Sequence, residues 1–153
     1  MALNVCNNQE AVDFVMNYKS DCVTIAKLLK LPTEYILGLA ALESQYGKGR
    51  IAREYNNFFS MHAPAPYQSG AIAPLGNAKI KVAIYPSFLD CARSFATRFG
   101  STLIGLTTPE AFAKELVRIH FNTGNPATGG TAGYAAKVAD IIKVVKARME
   151  CIK

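Results

Sequence analysis

Long apolar runs are missing from this chain. No stretch approaches the ~20 residues that a membrane-spanning helix needs, so no membrane span is expected. The opening MALNVCNNQEAVDF has no basic segment followed by an apolar one, and a Sec-type leader is not expected either. Cysteines are few. Cys6, Cys22, Cys91 and Cys151 show neither a CxxC pair nor a histidine at ligand spacing, so no zinc site and no other metal is expected. Four cysteines permit three disulfide pairings, and buried free thiols are the expected state. Acids are scarce: eleven Asp and Glu face seventeen Lys and Arg, for a net charge of +6, and none lies between Ala63 and Leu89. The excess suits an anionic partner. The basic residues, scattered from Lys19 to Lys153, do not alternate with aromatics as in a nucleic-acid motif, so no nucleic acid is expected. A P-loop, a dinucleotide fingerprint and a Ser, His, Asp arrangement are all absent, and no cofactor is expected.

What remains is 153 residues, half of them apolar, enough for one domain spanning 1–153 with a substantial core. Periodicity predicts helices over Gln9–Lys19 and Asp21–Leu31, hinged at Ser20, then Thr33–Tyr46 with Thr33 as cap and a short piece at Gly49–Glu54. From Asn56 to Pro86 the chain turns rich in Pro, Gly and aromatics, and AKIKVAIY alternates at period two, predicting loop plus a small hairpin. Helix returns at Ser87, where Ser87 and Asp90 have capping-box spacing, and again after Thr108–Pro109. Asn122–Gly133 reads as a flexible loop, followed by a last helix, Tyr134–Arg148. The predicted class is predominantly α (α+β), a helical body with a small β/loop lobe. A cleft between the two suits an extended polymer.

Glu43 stands out in LGLAALESQYGKGR. Ile36, Leu39, Ala40 and Glu43 fall at i, i+3, i+4 and i+7, so one carboxylate ends an apolar stripe. In the last turn the helix dipole disfavours its charge and partial burial adds a desolvation cost. A carboxyl held protonated is what a general acid requires. The competing reading is a surface glutamate paired with Lys48 or Arg50.

The segment LAALESQYGKGRIAREYNNFFSM resembles the signature of the lysozyme-like cell-wall N-acetylglucosaminidases, the group containing the flagellar peptidoglycan hydrolases. In that family an ALESGWG helix end carries the catalytic glutamate and an NNLFGIK segment enters the cleft. The matching positions here are Ala41 to Ser44, Tyr46 and Gly47, then Arg53, Glu54 and Asn56 to Phe58. AIYPSFLDCARSFATRF and GYAAKVADIIK are similar to later family segments of the form YxSxxES and YAxKV. The resemblance implies a lysozyme-like two-lobed fold flanking a substrate cleft. It also implies hydrolysis of the β-1,4 bond between N-acetylglucosamine and N-acetylmuramic acid, with Glu43 as the acid.

Among substrate contacts, Tyr46 replaces the family's tryptophan and still offers a ring to a sugar. Asn57, Phe58, Tyr67 and Gln68 are further candidates, and Tyr134 is a displaced counterpart of the tyrosine in the family's GYAT loop, whose place GNPATGG takes here. A glycosidase usually needs a second carboxylate ~5 to 10 Å from the first. Asp90 and Glu54 are the weak candidates, one a helix cap and the other a partner for Arg50. His62 is expected to face solvent or bond backbone, and His120 to be structural. The chain is also similar to small type VI secretion glucosaminidase effectors. That likeness implies a protein made in the cytoplasm without a leader, acting on peptidoglycan in the wall of a target cell, and a cognate immunity protein occluding the cleft. The alternatives are a lytic transglycosylase or muramidase on the same polymer, and a non-catalytic peptidoglycan-binding module.

Overall fold

The computed structural model describes residues 4–74 and 80–151. Six helices and one two-stranded sheet follow in the order α1 (Gln9–Leu29), α2 (Thr33–Ser44), α3 (Arg50–Tyr55), β1 (Gly70–Ile72), β2 (Val82–Ile84), α4 (Phe88–Phe99), α5 (Pro109–Arg118) and α6 (Tyr134–Met149).

α1 is a single helix rather than a hinged pair. Val15, Cys22, Ile25, Ala26 and Leu29 continue one buried face through Ser20, with no Gly or Pro to break it. Asn8 caps its start, accepting from Ala11 N at 3.1 Å.

α2 is the centre of the body. Every residue from Tyr35 to Ala41 is buried, so the single stripe expected of it is in fact a helix enclosed on all sides. It packs against α1 and α6, while α5 packs on α6 and α4 on α1. Gly38 allows the α6 contact: a Cβ there would lie 3.0 Å from both Ile142 Cα and Cγ1. Pro32, not Thr33, holds the cap position, without a side-chain bond.

The helix stops two residues earlier than the pattern suggests, because Gln45, Tyr46 and Gly47 take left-handed φ of 53°, 55° and 78°. Ser44 secures that stop. Its hydroxyl donates to Ala40 O at 2.6 Å and accepts from Gly47 N at 2.9 Å.

The small lobe is an antiparallel hairpin, β1 on β2 with Ala71 opposite Ala83, extended by a bridge between His62 and Val82. Residues 78–79, which open the alternating segment AKIKVAIY, lie outside the described residues. Asn57 ties this lobe to the body: its amide donates to Met61 O and Ala83 O, both at 2.9 Å, and its oxygen accepts from Met61 N at 2.9 Å. α4 begins as expected, with Asp90 N bonded to Ser87 Oγ at 3.2 Å and Ser87 Oγ donating to Asp90 Oδ2 at 2.9 Å. Thr108 likewise caps α5 through Ala111 N at 3.0 Å.

The cysteines correct the expectation of free thiols. Cys6 and Cys151 form a disulfide that joins the two ends of the chain, while Cys22 and Cys91 are buried and free. No described helix is long and apolar enough to cross a membrane.

Candidate active site

The left-handed turn after Ser44 ends α2 at the boundary between body and lobe, and Glu43 emerges there half-buried. Two cavities meet at this point, sharing Glu43, Ser60 and His62. Together they form one cleft with Glu43 at the junction. One arm, of about 430 Å³, is polar and runs past Arg98, His120, Asn122 and Thr123, with Phe99 and Phe121 on its wall. The other, of about 470 Å³, is more apolar and lies over Ile51, Pro74, Ile80 and Val82.

Tyr134, the first residue of α6, donates its hydroxyl to Glu43 Oε2 at 2.8 Å. The phenol is buried, and burial together with the adjacent carboxylate pushes its pKa up. Glu43 is itself raised above the ordinary carboxylate range. Desolvation outweighs the hydrogen bonds from Tyr134 and Ser60, which favour the charged form.

Glu43 is the sole acid lining either arm among the described residues. Glu54 is held by Arg50, whose Nε donates to Glu54 Oε2 at 2.8 Å, and Asp90 is engaged at the start of α4. Neither lines the cleft. No group of three or more metal-ligating side chains occurs among the described residues.

Several expected contacts lie elsewhere. Phe58 is 4% exposed and packs with Phe14, Tyr18 and Phe88 in the core, where its apolar ring is better buried than on a wet wall. Asn57 borders the apolar arm, but both ends of its amide are spent on backbone groups. Tyr46 turns to the far side of the left-handed turn, where its hydroxyl accepts from Arg148 Nη1 at 2.5 Å and its ring meets Phe14 edge-on. Tyr67 lines a separate surface hollow with Leu28, Leu29 and Arg93. Gln68 closes its own loop, Oε1 accepting from Ala65 N at 2.8 Å. Of the six expected contacts, Tyr134 alone reaches Glu43.

Sequence reasoning missed Ser60, Arg98 and the wall formed by Asn122 and Thr123, and it placed His120 in the framework although its side chain lines the polar arm. His120 sits just past α5 with φ 64°, a left-handed residue that turns the chain into the 122–133 loop. That loop is pinned internally rather than free. Asn122 Oδ1 accepts from Gly124 N at 2.9 Å and Thr131 N at 3.0 Å, and Thr128 Oγ1 donates to Thr123 Oγ1 at 2.7 Å. Gly130 fits only without a side chain, since a Cβ would lie 2.6 Å from Gly124 N.

A helical body and a small β lobe flanking a cleft give the chain a lysozyme-like architecture, and its family match makes it a glycoside hydrolase. The family model for glucosaminidase, described as mannosyl-glycoprotein endo-beta-N-acetylglucosaminidase, matches residues 19–147. The chain belongs to that family. It is 54% identical to a chain in a type VI secretion system effector-immunity complex from Pseudomonas protegens, covering 97% of this chain and 100% of that one with a TM-score of 0.88. The fold is shared more distantly by a peptidoglycan hydrolase from Sphingomonas sp. A1, at 23% identity, 91% and 93% coverage and a TM-score of 0.74. It is shared also by the glycoside hydrolase domain of Salmonella typhimurium FlgJ, at 24% identity, 92% and 91% coverage and a TM-score of 0.69. No curated protein matches the chain by sequence.

Proposed function

We propose that this protein, acting as one domain, hydrolyses the β-1,4 bond that follows N-acetylglucosamine in peptidoglycan, with Glu43 as general acid. The observation that carries this reading is the raised, half-buried carboxyl of Glu43 where the two arms of the cleft join. A glycan strand laid along both arms has its scissile oxygen beside that carboxyl. Glu43 gives its proton to the departing oxygen, and the Tyr134 hydroxyl holds the carboxyl in place and stabilises the carboxylate left behind.

With no second carboxylate on the cleft among the described residues, positive charge developing at the anomeric carbon is met by the substrate's own 2-acetamido oxygen, which closes an oxazolinium ring. Water then opens that ring at the anomeric carbon and gives its proton to Glu43. The acid is regenerated for the next cycle.

Mass spectrometry of borohydride-reduced fragments released from purified peptidoglycan tests this. Reduced N-acetylglucosamine ends, abolished by Glu43→Gln, support it. Anhydro-muramyl ends replace it with lytic transglycosylase chemistry, and wall that is bound without being cut replaces it with a binding module.

The 54% identity to a chain from a type VI effector-immunity complex supports a role as an antibacterial effector acting on the wall of a target cell. A disulfide between Cys6 and Cys151 suits an oxidising compartment such as the periplasm. A cognate immunity protein plugging the cleft with an acidic surface would complement the net charge of +6. Expression in Escherichia coli with and without an added periplasmic leader tests the site of action: lysis with the leader alone supports it, and lysis without the leader rejects it.

A further inference from the structure

The two arms of the cleft differ in the charge they leave available. In the apolar arm Arg50 is paired with Glu54 at 2.8 Å. In the polar arm Arg98, on the last turn of α4, has no carboxylate partner among the described residues, and Glu43 is the sole acid on that arm's wall.

Arg98 is nevertheless held in place. Nη1 donates to His62 O at 3.1 Å and Nη2 to Pro64 O. Carbonyl acceptors orient a guanidinium without cancelling its charge, and two such bonds use two of its five N–H donors. His62 and His120 line the same arm and add ring nitrogens, while Asn122 and Thr123 stand on the pinned loop beside them. Phe99 and Phe121, edge-on at 5.0 Å, supply the apolar surface against which a sugar ring packs. A fixed, unneutralised guanidinium with neighbouring donors is the arrangement that recognises a carboxylate.

We propose that the Arg98 arm is a carboxylate-recognition subsite, so that an acidic substituent of the glycan seats there and fixes which bond lies against Glu43. The proposal rests on the glycan-hydrolase reading above. Peptidoglycan offers two sources of that chemistry. The lactyl group of muramic acid is a free carboxylate once the stem peptide has been removed, and the stem peptide carries carboxylates of its own where it remains.

The test is a set of affinities measured by calorimetry in the Glu43→Gln background, where bound glycan is not cut. Three tetrasaccharides are compared: an N-acetylglucosamine tetramer, a peptide-free glycan with free lactyl groups, and the same glycan bearing stem peptides. Arg98→Gln and Arg98→Lys are then added, since both disturb the carbonyl bonds and only the second keeps the charge. The expected result is about tenfold tighter binding of a carboxylate-bearing glycan than of the tetramer, lost in Arg98→Gln and partly kept in Arg98→Lys. Preference for the peptide-free glycan assigns the lactyl group, and preference confined to the peptide-bearing one assigns the stem. Equal affinity for all three ligands overturns the subsite, as does equal weakening of all three by both substitutions. Those outcomes leave the glycan cleft standing. Binding of none of the three overturns both.

Discussion

Tyr134 and Glu43 lie ninety-one positions apart in the chain and meet at 2.8 Å, the phenol donating to the carboxylate. This bond and the burial of Glu43 act in opposite directions, and burial prevails. Tyr134→Phe removes the opposing contribution, so the Glu43 pKa rises further and the protonated form persists to higher pH. The limb along which kcat/KM falls with rising pH therefore moves upward, while kcat drops about tenfold through lost orientation, a small part of the ~10²- to 10⁴-fold that a general acid contributes. A pH profile of fragment release for both forms decides it. An unmoved limb would separate Tyr134 from the ionisation of Glu43.

Glu43→Gln carries a stability signature besides its loss of turnover. The folded pKa of Glu43 lies above its unfolded value, so between the two the folded state binds the extra proton. The stability this contributes is full below the ordinary carboxylate range and is lost as pH rises through the raised value. Glutamine does not titrate and bears no such loss. The thermal midpoint of Glu43→Gln relative to the parent should thus be higher at pH 8 than at pH 4, with activity down by about 10²-fold or more. A difference independent of pH would mean that Glu43 titrates alike in the folded and unfolded chains.

Much of this was legible in the sequence, because local rules coincide with tertiary demands in the helices. The caps at Ser87 and Thr108, the Pro109 start and the Arg50–Glu54 pair all appear as their spacing predicts. Glu43 was visible for the same reason: a lone acid at the end of an apolar run is rare enough to raise a question. Ser20 misled, since serine often caps a helix, yet the buried face on either side of it made one continuous helix more stable than a hinge. Around the cleft the pattern fails for a different reason. Tyr46 lies inside a run of three left-handed residues and bonds Arg148, while Phe58, beyond α3, is buried against Phe14, Tyr18 and Phe88. Arg98 and His120 come from distant elements, and no local periodicity reports which face of the fold they reach.

Asn57 distinguishes a framework role from a ligand role. Its side chain makes three bonds to Met61 and Ala83 backbone groups while being 2% exposed. Asn57→Ala leaves Ala83 O and Met61 N without partners in a dry place, while Met61 O keeps its bond from Ala83 N at 3.0 Å, at ~1 to 3 kcal/mol for each unsatisfied group. We expect a loss of about 3 kcal/mol or more in chemical denaturation, with KM for the folded fraction close to the parent's. A variant of full stability and raised KM would instead make Asn57 a contact for the glycan.

The Cys6–Cys151 bond closes nearly the whole chain into one loop, and its surroundings connect it to the end of α2. Arg148 donates to Val5 O at 3.2 Å and to the Tyr46 hydroxyl at 2.5 Å, with its guanidinium 5.1 Å from the Tyr46 ring centre. Reduction releases Val5 and Cys151 together, which loosens that clamp on the turn following Glu43. Removing a native disulfide of this kind costs ~2 to 5 kcal/mol, so Cys6→Ser or reduction should lower the thermal midpoint and raise protease sensitivity, first at the chain ends. The remaining thiols provide an independent count. Cys22 and Cys91 are fully buried, burial raising both and pushing the Cys91 thiol up to about 12, so neither reacts in the folded protein. A thiol reagent should find none in the native oxidised protein, two after unfolding without reductant and four after unfolding with it. Four before reduction would show that the chain ends are not joined, and would remove the link drawn between this bond and an oxidising site of action.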